Sequence, residues 1–424
     1  MQYRRVHTVN SAFAAILFDL SGKGWLRTFC FVAIATCSAP SQAQEIVDFP
    51  IQTLPNPFRD SMPFNAHSDS GRWLEGGSSN ANQPFVDVIR LSSLPPNTER
   101  PVVTAISVSP NGNVIAAAGD DHVIRIINLE SGKTIATLMG HTDWVQAVEF
   151  SPSGTTLASC SNDGSLRIWS NEQLPKLISE KIAGHALMSL TYLGDDSIFA
   201  AGFSNEIYRY DSLSKEFKVI HTCDCRDIRT VVASPDRTRI AFGGRDGVLR
   251  VLRVDLAGQG SLPVKEGSHR SASENEIAVP LHFERIRNLQ FSADGNQITS
   301  VGEDRRIVHF DLVNRVTITK TEIEGGKLLG LCQLEPNLFA IGSSDNTIRI
   351  FSNTDQQVHA KLVGHDGSVS VLKRTQKHLI SGSFDTTIRI WNIDQSIASI
   401  DKLGRYVHPV AAQFEDSGAA NDIK

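Results

Sequence analysis

Between residues 140 and 169 the chain reads GHTDWVQAVEFSPSGTTLASCSNDGSLRIW. Its apolar residues fall into three short runs separated by turn formers. Val145, Val148 and Phe150 belong to the first run, which Pro152 and Gly154 terminate. Leu157 to Cys160 is the second. Asp163-Gly164 tolerates positive φ and predicts a hairpin turn. Leu166, Ile168 and their alternating neighbours make the third run, which ends at Trp169. The pattern predicts three antiparallel strands. A unit this small cannot bury both faces alone, so it needs copies of itself.

The same order recurs along the chain. Aligned on the turn acid, the column reads Asp121, Asp163, Asn205, Asp246, Asp304, Asp345 and Asp385, with spacings of 42, 42, 41, 58, 41 and 40 residues. Five of the six spacings suit a four-stranded propeller unit. The long one is explained by an insertion, Ala257 to Asn275, which lies in a loop after the third strand of the fourth unit. Seven units predict an all-β, seven-bladed propeller. Four residues after each turn residue stands an Arg: Arg125, Arg167, Arg209, Arg250, Arg349 and Arg389. The fifth unit has Val308 instead.

The stretch resembles a WD40 repeat, whose pattern is Gly-His, then Ser or Thr, then Asp in a tight turn, then Trp. Here those residues are His141, Ser159, Asp163 and Trp169, and a second full set stands at His365, Ser381, Asp385 and Trp391. In the family the four side chains form a hydrogen-bonded chain that staples three segments of one blade. Such a closed network satisfies polar groups that burial would otherwise leave unpaired. The resemblance covers residues 85–395. It implies that His185, in the pair Gly184-His185, is a staple as well, and that the repeated Arg is packed and paired locally rather than forming a ligand ring. The Trp column becomes Ile127, Tyr210, Leu252, Phe310 and Phe351. Only blades two and seven are therefore expected to carry the complete network, and the others to rely on apolar packing between blades. Family members usually close the ring with an amino-terminal strand. Phe85 to Leu91 suits that role, with Ser396 to Leu403 as the competitor.

Ahead of the repeats, Phe29 to Cys37 is a short apolar run behind Lys23 and Arg27, followed by Ser41-Gln42-Ala43. This reads as a cleavable leader over residues 1–43, with Gln44 first in the mature chain. The run is too short for a stable membrane span. The expected location is secreted or periplasmic, with a cytoplasmic protein as the alternative. Residues 44–84, rich in Pro, Asn, Ser and Gly, read as an irregular lead-in, and 396–424 as a flexible tail. The full chain holds 41 basic and 46 acidic residues, for a formal charge of −5. That balance argues against non-specific nucleic-acid binding.

No catalytic constellation emerges. The inner runs TAISVS, QAVEFS, SLTYLG, TVVASP, NLQFSA, LGLCQL and SVSVLK hold one acid, Glu149, and no His. That is poor material for acid–base work, so the chain reads as a non-enzyme without cofactor or metal. His221, Cys223 and Cys225 alternate, but no fourth ligand is spaced as zinc sites require. A disulfide between Cys223 and Cys225 would close a very small loop and is disfavoured. Cys160 and Cys332 read as core residues. The face with the Gly-His and turn-Asp loops is the family's usual contact surface. Trp144, Arg245 and Phe384 are its candidate anchors for a protein or peptide partner, against the plainer reading of ordinary surface residues. The function expected is an exported interaction scaffold. The alternatives are an enzyme or ligand sensor at the channel mouth and a cytoplasmic regulatory subunit.

Overall fold

The computed structural model describes residues 86–93, 99–254 and 276–393. The expected leader, lead-in, insertion and tail, and the competing closing strand Ser396 to Leu403, lie outside those residues. Among the described residues no helix is long and apolar enough to cross a membrane.

The described chain forms seven four-stranded antiparallel sheets. Six are simple meanders spanning 103–138, 145–182, 187–222, 228–280, 286–322 and 328–362. Blade seven takes three strands from the carboxyl-terminal side, Val369–Arg374, His378–Ser383 and Thr387–Asn392. Its outer strand, Val86–Arg90, comes from the other end of the chain. Val86 pairs with Trp391 and Arg90 with Thr387. The ring therefore closes without an open sheet edge between its first and last blades.

Alternate residues of a strand point to opposite faces of its blade, so each blade supplies two cores. Ala116, Ala118 and Ile124 of blade one pack on Val145, Val148 and Trp169 of blade two. Ile115, Ala117 and Ile127 face the other way and meet Ile380 and Ile388 of blade seven. This is why second strands such as Ser197–Gly202 are buried at every position, while outer strands such as Leu177–Ile182 are largely exposed. Cys160 and Cys332 are buried thiols in these cores.

Each inner strand carries a bulge at its second residue, where the pairing with the next strand slips. A bulge leaves one residue out of the ladder and re-aims its side chain. The seven skipped residues are Thr104, Gln146, Met188, Arg229, Arg287, Leu329 and Ser370. They recur at one level of the ring, next to the loops that enter the inner strands.

Blade three corrects the sequence alignment. Phe203 N donates to Ala186 O as Asn162 N donates to Trp144 O in blade two. Glu206 N donates to Ser204 Oγ as Ser165 N donates to Asp163 Oδ1. Ser204, not Asn205, therefore takes the place of the turn acid. The Asn205 amide instead donates to Cys223 O at 3.1 Å. One step along, Tyr208 takes the Arg position, and Arg209 turns to Ser197 Oγ at 2.9 Å. Ala183 stands where His141 stands, so His185 is two residues too late to be a staple and is exposed.

Candidate functional site

In blades two and seven the four sequence-matched side chains meet. His141 Nε2 lies 2.8 Å from Ser159 Oγ and Nδ1 lies 3.0 Å from Asp163 Oδ2, while Trp169 Nε1 donates to Ser159 Oγ at 2.9 Å. The same three distances for His365, Ser381, Asp385 and Trp391 are 2.7, 2.7 and 2.8 Å. A carboxylate can only accept, so the proton on each ring sits on Nδ1 and the Ser hydroxyl donates to Nε2. The Asp also accepts the backbone N–H after the His, from Thr142 or Asp366, at 3.0 Å. Burial alone would raise both carboxyls. The surrounding donors outweigh it and hold Asp163 and Asp385 at about 2. Burial pushes His141 below its ordinary value, and Asp163 offsets only part of that.

Blade five carries a third chain that the sequence reading missed. His282 Nδ1 lies 2.8 Å from Asp304 Oδ1, and Nε2 lies 2.8 Å from Ser300 Oγ. Phe310 stands in the Trp position and supplies no donor. The signal was legible in spacing: His282 precedes Ser300 by 18 residues and Asp304 by 22, as His141 precedes Ser159 and Asp163. The residue before His282 is Leu, so a search for Gly-His passes over it.

Where the His is absent, the turn acid is met by the Arg four residues on. Arg125 Nη2 lies 2.6 Å from Asp121 Oδ2, and Arg250 Nη2 lies 2.7 Å from Asp246 Oδ2. Arg349 Nη1 donates to Asp345 Oδ1 at 3.1 Å. In blade two, where His141 holds the Asp, Arg167 Nε turns instead to Glu180 Oε1 at 3.0 Å. His and Arg thus act as alternative partners for the turn carboxylate.

The loop face holds the candidate anchors. Phe384 is 41% exposed, Arg245 is exposed and Trp144 is half-buried. Phe384 and Arg245 sit directly before the turn acids of their blades. Phe203 fills the equivalent place in blade three and is also exposed. Phe283, beside the staple His282, is exposed too. The sequence reading did not single out either Phe. Both are covered on one face by a guanidinium: Arg229 Cζ lies 4.2 Å from the Phe203 ring centre, and Arg306 Cζ lies 4.7 Å from that of Phe283.

Charge is concentrated beside these aromatics. Arg245 holds Asp227 through Nε at 3.1 Å and Nη2 at 3.0 Å. Arg285 Nη1 and Lys327 Nζ meet Glu303 at 2.8 and 2.7 Å, and Arg287 Nη1 stands 3.6 Å from it. Burial would raise the Glu303 carboxyl, but these cations hold it below its usual range. Burial, then the nearby Arg285, push Arg229 down to about 10, although Asp227 works against the shift. Five cations thus share two carboxylates. Two of them, Arg229 and Arg287, are bulge residues of the inner strands. The inner runs read for blades four and five began one residue later and left both out. Next to the cluster, a cleft of about 460 Å³ between blades five and six is lined by Phe283, Glu303, Lys327, Gly325 and Gly326.

Cys223 and Cys225 are joined as a disulfide, against the sequence expectation. Their Cα atoms lie 5.3 Å apart, a separation that such a bond spans. Cys223 is buried in the core between blades three and four. His221 lies 3.8 Å from Glu276. Among the described residues no group of three His, Cys, Asp or Glu side chains is arranged to hold a metal.

Three stretches, 90–128, 132–170 and 356–392, match the model of the WD domain, G-beta repeat. The chain is similar to ribosome biogenesis protein YTM1 of Vanderwaltozyma polyspora, at 26% identity over 321 residues, covering 69% of this chain and 65% of that one. It is similar to the ribosome biogenesis protein WDR12 homolog of Culex quinquefasciatus, at 25% over 287 residues, covering 62% and 66%. It also matches apoptotic protease-activating factor 1 of Danio rerio, at 23% over 275 residues, covering 61% of this chain and 19% of that protein. The chain spans just under two thirds of the length of the first two relatives. Their names overturn the expected secreted or periplasmic location, since ribosome biogenesis is work done inside the cell. That expectation rested on the composition of a short apolar run behind two basic residues, which is no more than a compositional sign.

Proposed function

This chain is a WD40-repeat β-propeller, and we propose that it is a scaffold subunit inside the cell that docks a protein partner on its loop face. One observation carries the reading: Phe203, Arg245, Phe283 and Phe384 stand exposed on short loops fixed by the blade networks. Aromatic and Arg side chains on a pre-organised surface are the residue types that concentrate binding energy. Binding there needs no chemistry from the protein, only rigid presentation. The relatives carry the names of ribosome biogenesis proteins and of a protease-activating factor, and neither name states a reaction of its own. Their diversity also shows that the fold alone does not choose the partner.

The test is affinity capture of the tagged full chain from its own cells. Trp144→Ala, Arg245→Ala and Phe384→Ala are combined in one variant, and Phe203→Ala and Phe283→Ala in a second. The proposal expects at least one captured protein to be lost from each variant while the melting temperature stays within a few degrees. Unchanged capture by both variants overturns it.

A further inference from the structure

We propose that the cationic cluster at the channel mouth of blades four to six is a receptor for an acidic peptide segment of the partner. This rests on the docking-face reading above and adds the chemistry of what docks there. Among the described residues, Arg229, Arg245, Arg285, Arg287 and Lys327 form their ion pairs with Asp227 and Glu303, across 2.7–3.6 Å. The excess of three positive charges stands on a chain whose formal charge is −5. Such an excess concentrates the field at one spot of an otherwise acidic body.

The cluster is also short of acceptors. Both oxygens of Asp227 are taken, one by the Arg245 backbone and the other by its guanidinium. Arg229 reaches Asp227 Oδ2 only at 3.6 Å, beyond a hydrogen bond. The buried Nε atoms of Arg229 and Arg285 have no hydrogen-bond partner among the described residues. Arg125 and Arg389 have unpaired buried Nε atoms too, so what sets this cluster apart is its surplus of cations over carboxylates, which leaves guanidinium donors for an acceptor from outside. Arg229 and Arg287 occupy the bulged second position of neighbouring inner strands, which takes both out of the ladder, and they stand close enough for their charges to act on each other. The adjoining cleft, lined by Phe283, Glu284, Glu303, Asp304, Arg305 and Lys327, gives a flanking neutral side chain somewhere to go.

A peptide suits this site better than RNA does. The cations are confined to adjacent blades, where a polyanion would need an extended basic track. The face of the Phe203 ring, the kind of surface on which bases stack, is already covered by Arg229. A carboxylate fork matches the paired donors of a guanidinium.

The experiment is fluorescence anisotropy with the full chain and three probes: a short Glu-rich peptide, the same peptide with Gln at every Glu, and a single-stranded RNA of equal charge. The proposal expects the Glu peptide to bind at least about tenfold tighter than the Gln peptide, with affinity falling as salt rises. Arg229→Gln with Arg287→Gln should weaken it about tenfold or more. Glu303→Gln, which removes negative charge and keeps the arginines, should tighten it several-fold. Lys377→Gln, which removes an exposed cation on blade seven, should leave peptide binding unchanged. Equal binding of the two peptides, tighter binding of the RNA, or indifference to both sets of charge changes overturns the proposal. If Phe384→Ala loses the cellular partner while the Glu peptide never binds, the docking face stands and its acidic ligand falls.

Discussion

Ser381→Ala tests the polar network directly. Ser381 and Trp391 are fully buried, and the hydroxyl serves two neighbours at once. Trp391 Nε1 donates to it at 2.8 Å, and it donates to His365 Nε2 at 2.7 Å. Removing Oγ strands a buried donor and a buried acceptor together. Each stranded group costs about 1–3 kcal/mol, which places the loss at about 2–6 kcal/mol. Ser300→Ala in blade five is the internal control. Phe310 replaces the Trp there, so His282 loses its partner and the strand-paired Val308 carbonyl loses a 3.4 Å contact, at about 1–3 kcal/mol. The difference isolates the indole N–H. Adding Trp391→Phe to Ser381→Ala removes the stranded donor, so the double variant should be at least about 1 kcal/mol more stable than the sum of the singles predicts. Urea unfolding of the full chain, compared at constant m value, measures all four variants. Additivity within about 0.5 kcal/mol would refute the claim that Ser381 is the acceptor for the indole.

Further outcomes follow from other residues. His282→Ala should cost about 2–6 kcal/mol because it strands Ser300 and Asp304, whereas His185→Ala should stay within about 0.5 kcal/mol; equal effects would restore His185 as a staple. Arg125→Leu leaves Asp121 and the Ser92 carbonyl without their 2.6 Å partners and should cost about 3–5 kcal/mol. Arg167→Leu gives up an ion pair with the part-exposed Glu180 and should cost no more than about 1 kcal/mol. Acid should act in two stages. His141 is lowered in the fold from 6.5, so its contribution is present above that value and declines as pH falls below it. Asp163 and Asp385 are lowered from 3.8 to about 2, so theirs is intact above 3.8 and lost as pH falls toward 2. Thermal melts across that range should show both stages, and His141→Gln should blunt the first.

Repeat count and blade order were legible because turn acids, apolar alternation and the Arg column repeat at nearly one period. The closing strand was legible because FVDVIRL alternates and precedes the first unit. Blade three was misaligned because Asn205 and Gly184-His185 are the residue types the pattern seeks, in positions one and two residues off. Only backbone hydrogen bonds reveal that Ser204 and Ala183 hold those places. His282 escaped because Leu281 precedes it, although Ser300 and Asp304 stand at the right distances. The cationic cluster could not be read from one stretch of sequence. Its members come from strands and loops of three blades, and bulges that no residue type announces set the direction of Arg229 and Arg287.

The strand Val86–Arg90 is held to Thr387–Asn392 by backbone pairing, with Ile89 packed on the core between blades seven and one, across almost the whole length of the repeats. During synthesis it must wait, unmatched, until the final blade has been made, while the six meanders between can assemble as they emerge. A second waiting copy offers the same strand to the same edge. Crowded nascent chains can therefore trade these segments, and what would otherwise be single rings become interlocked pairs.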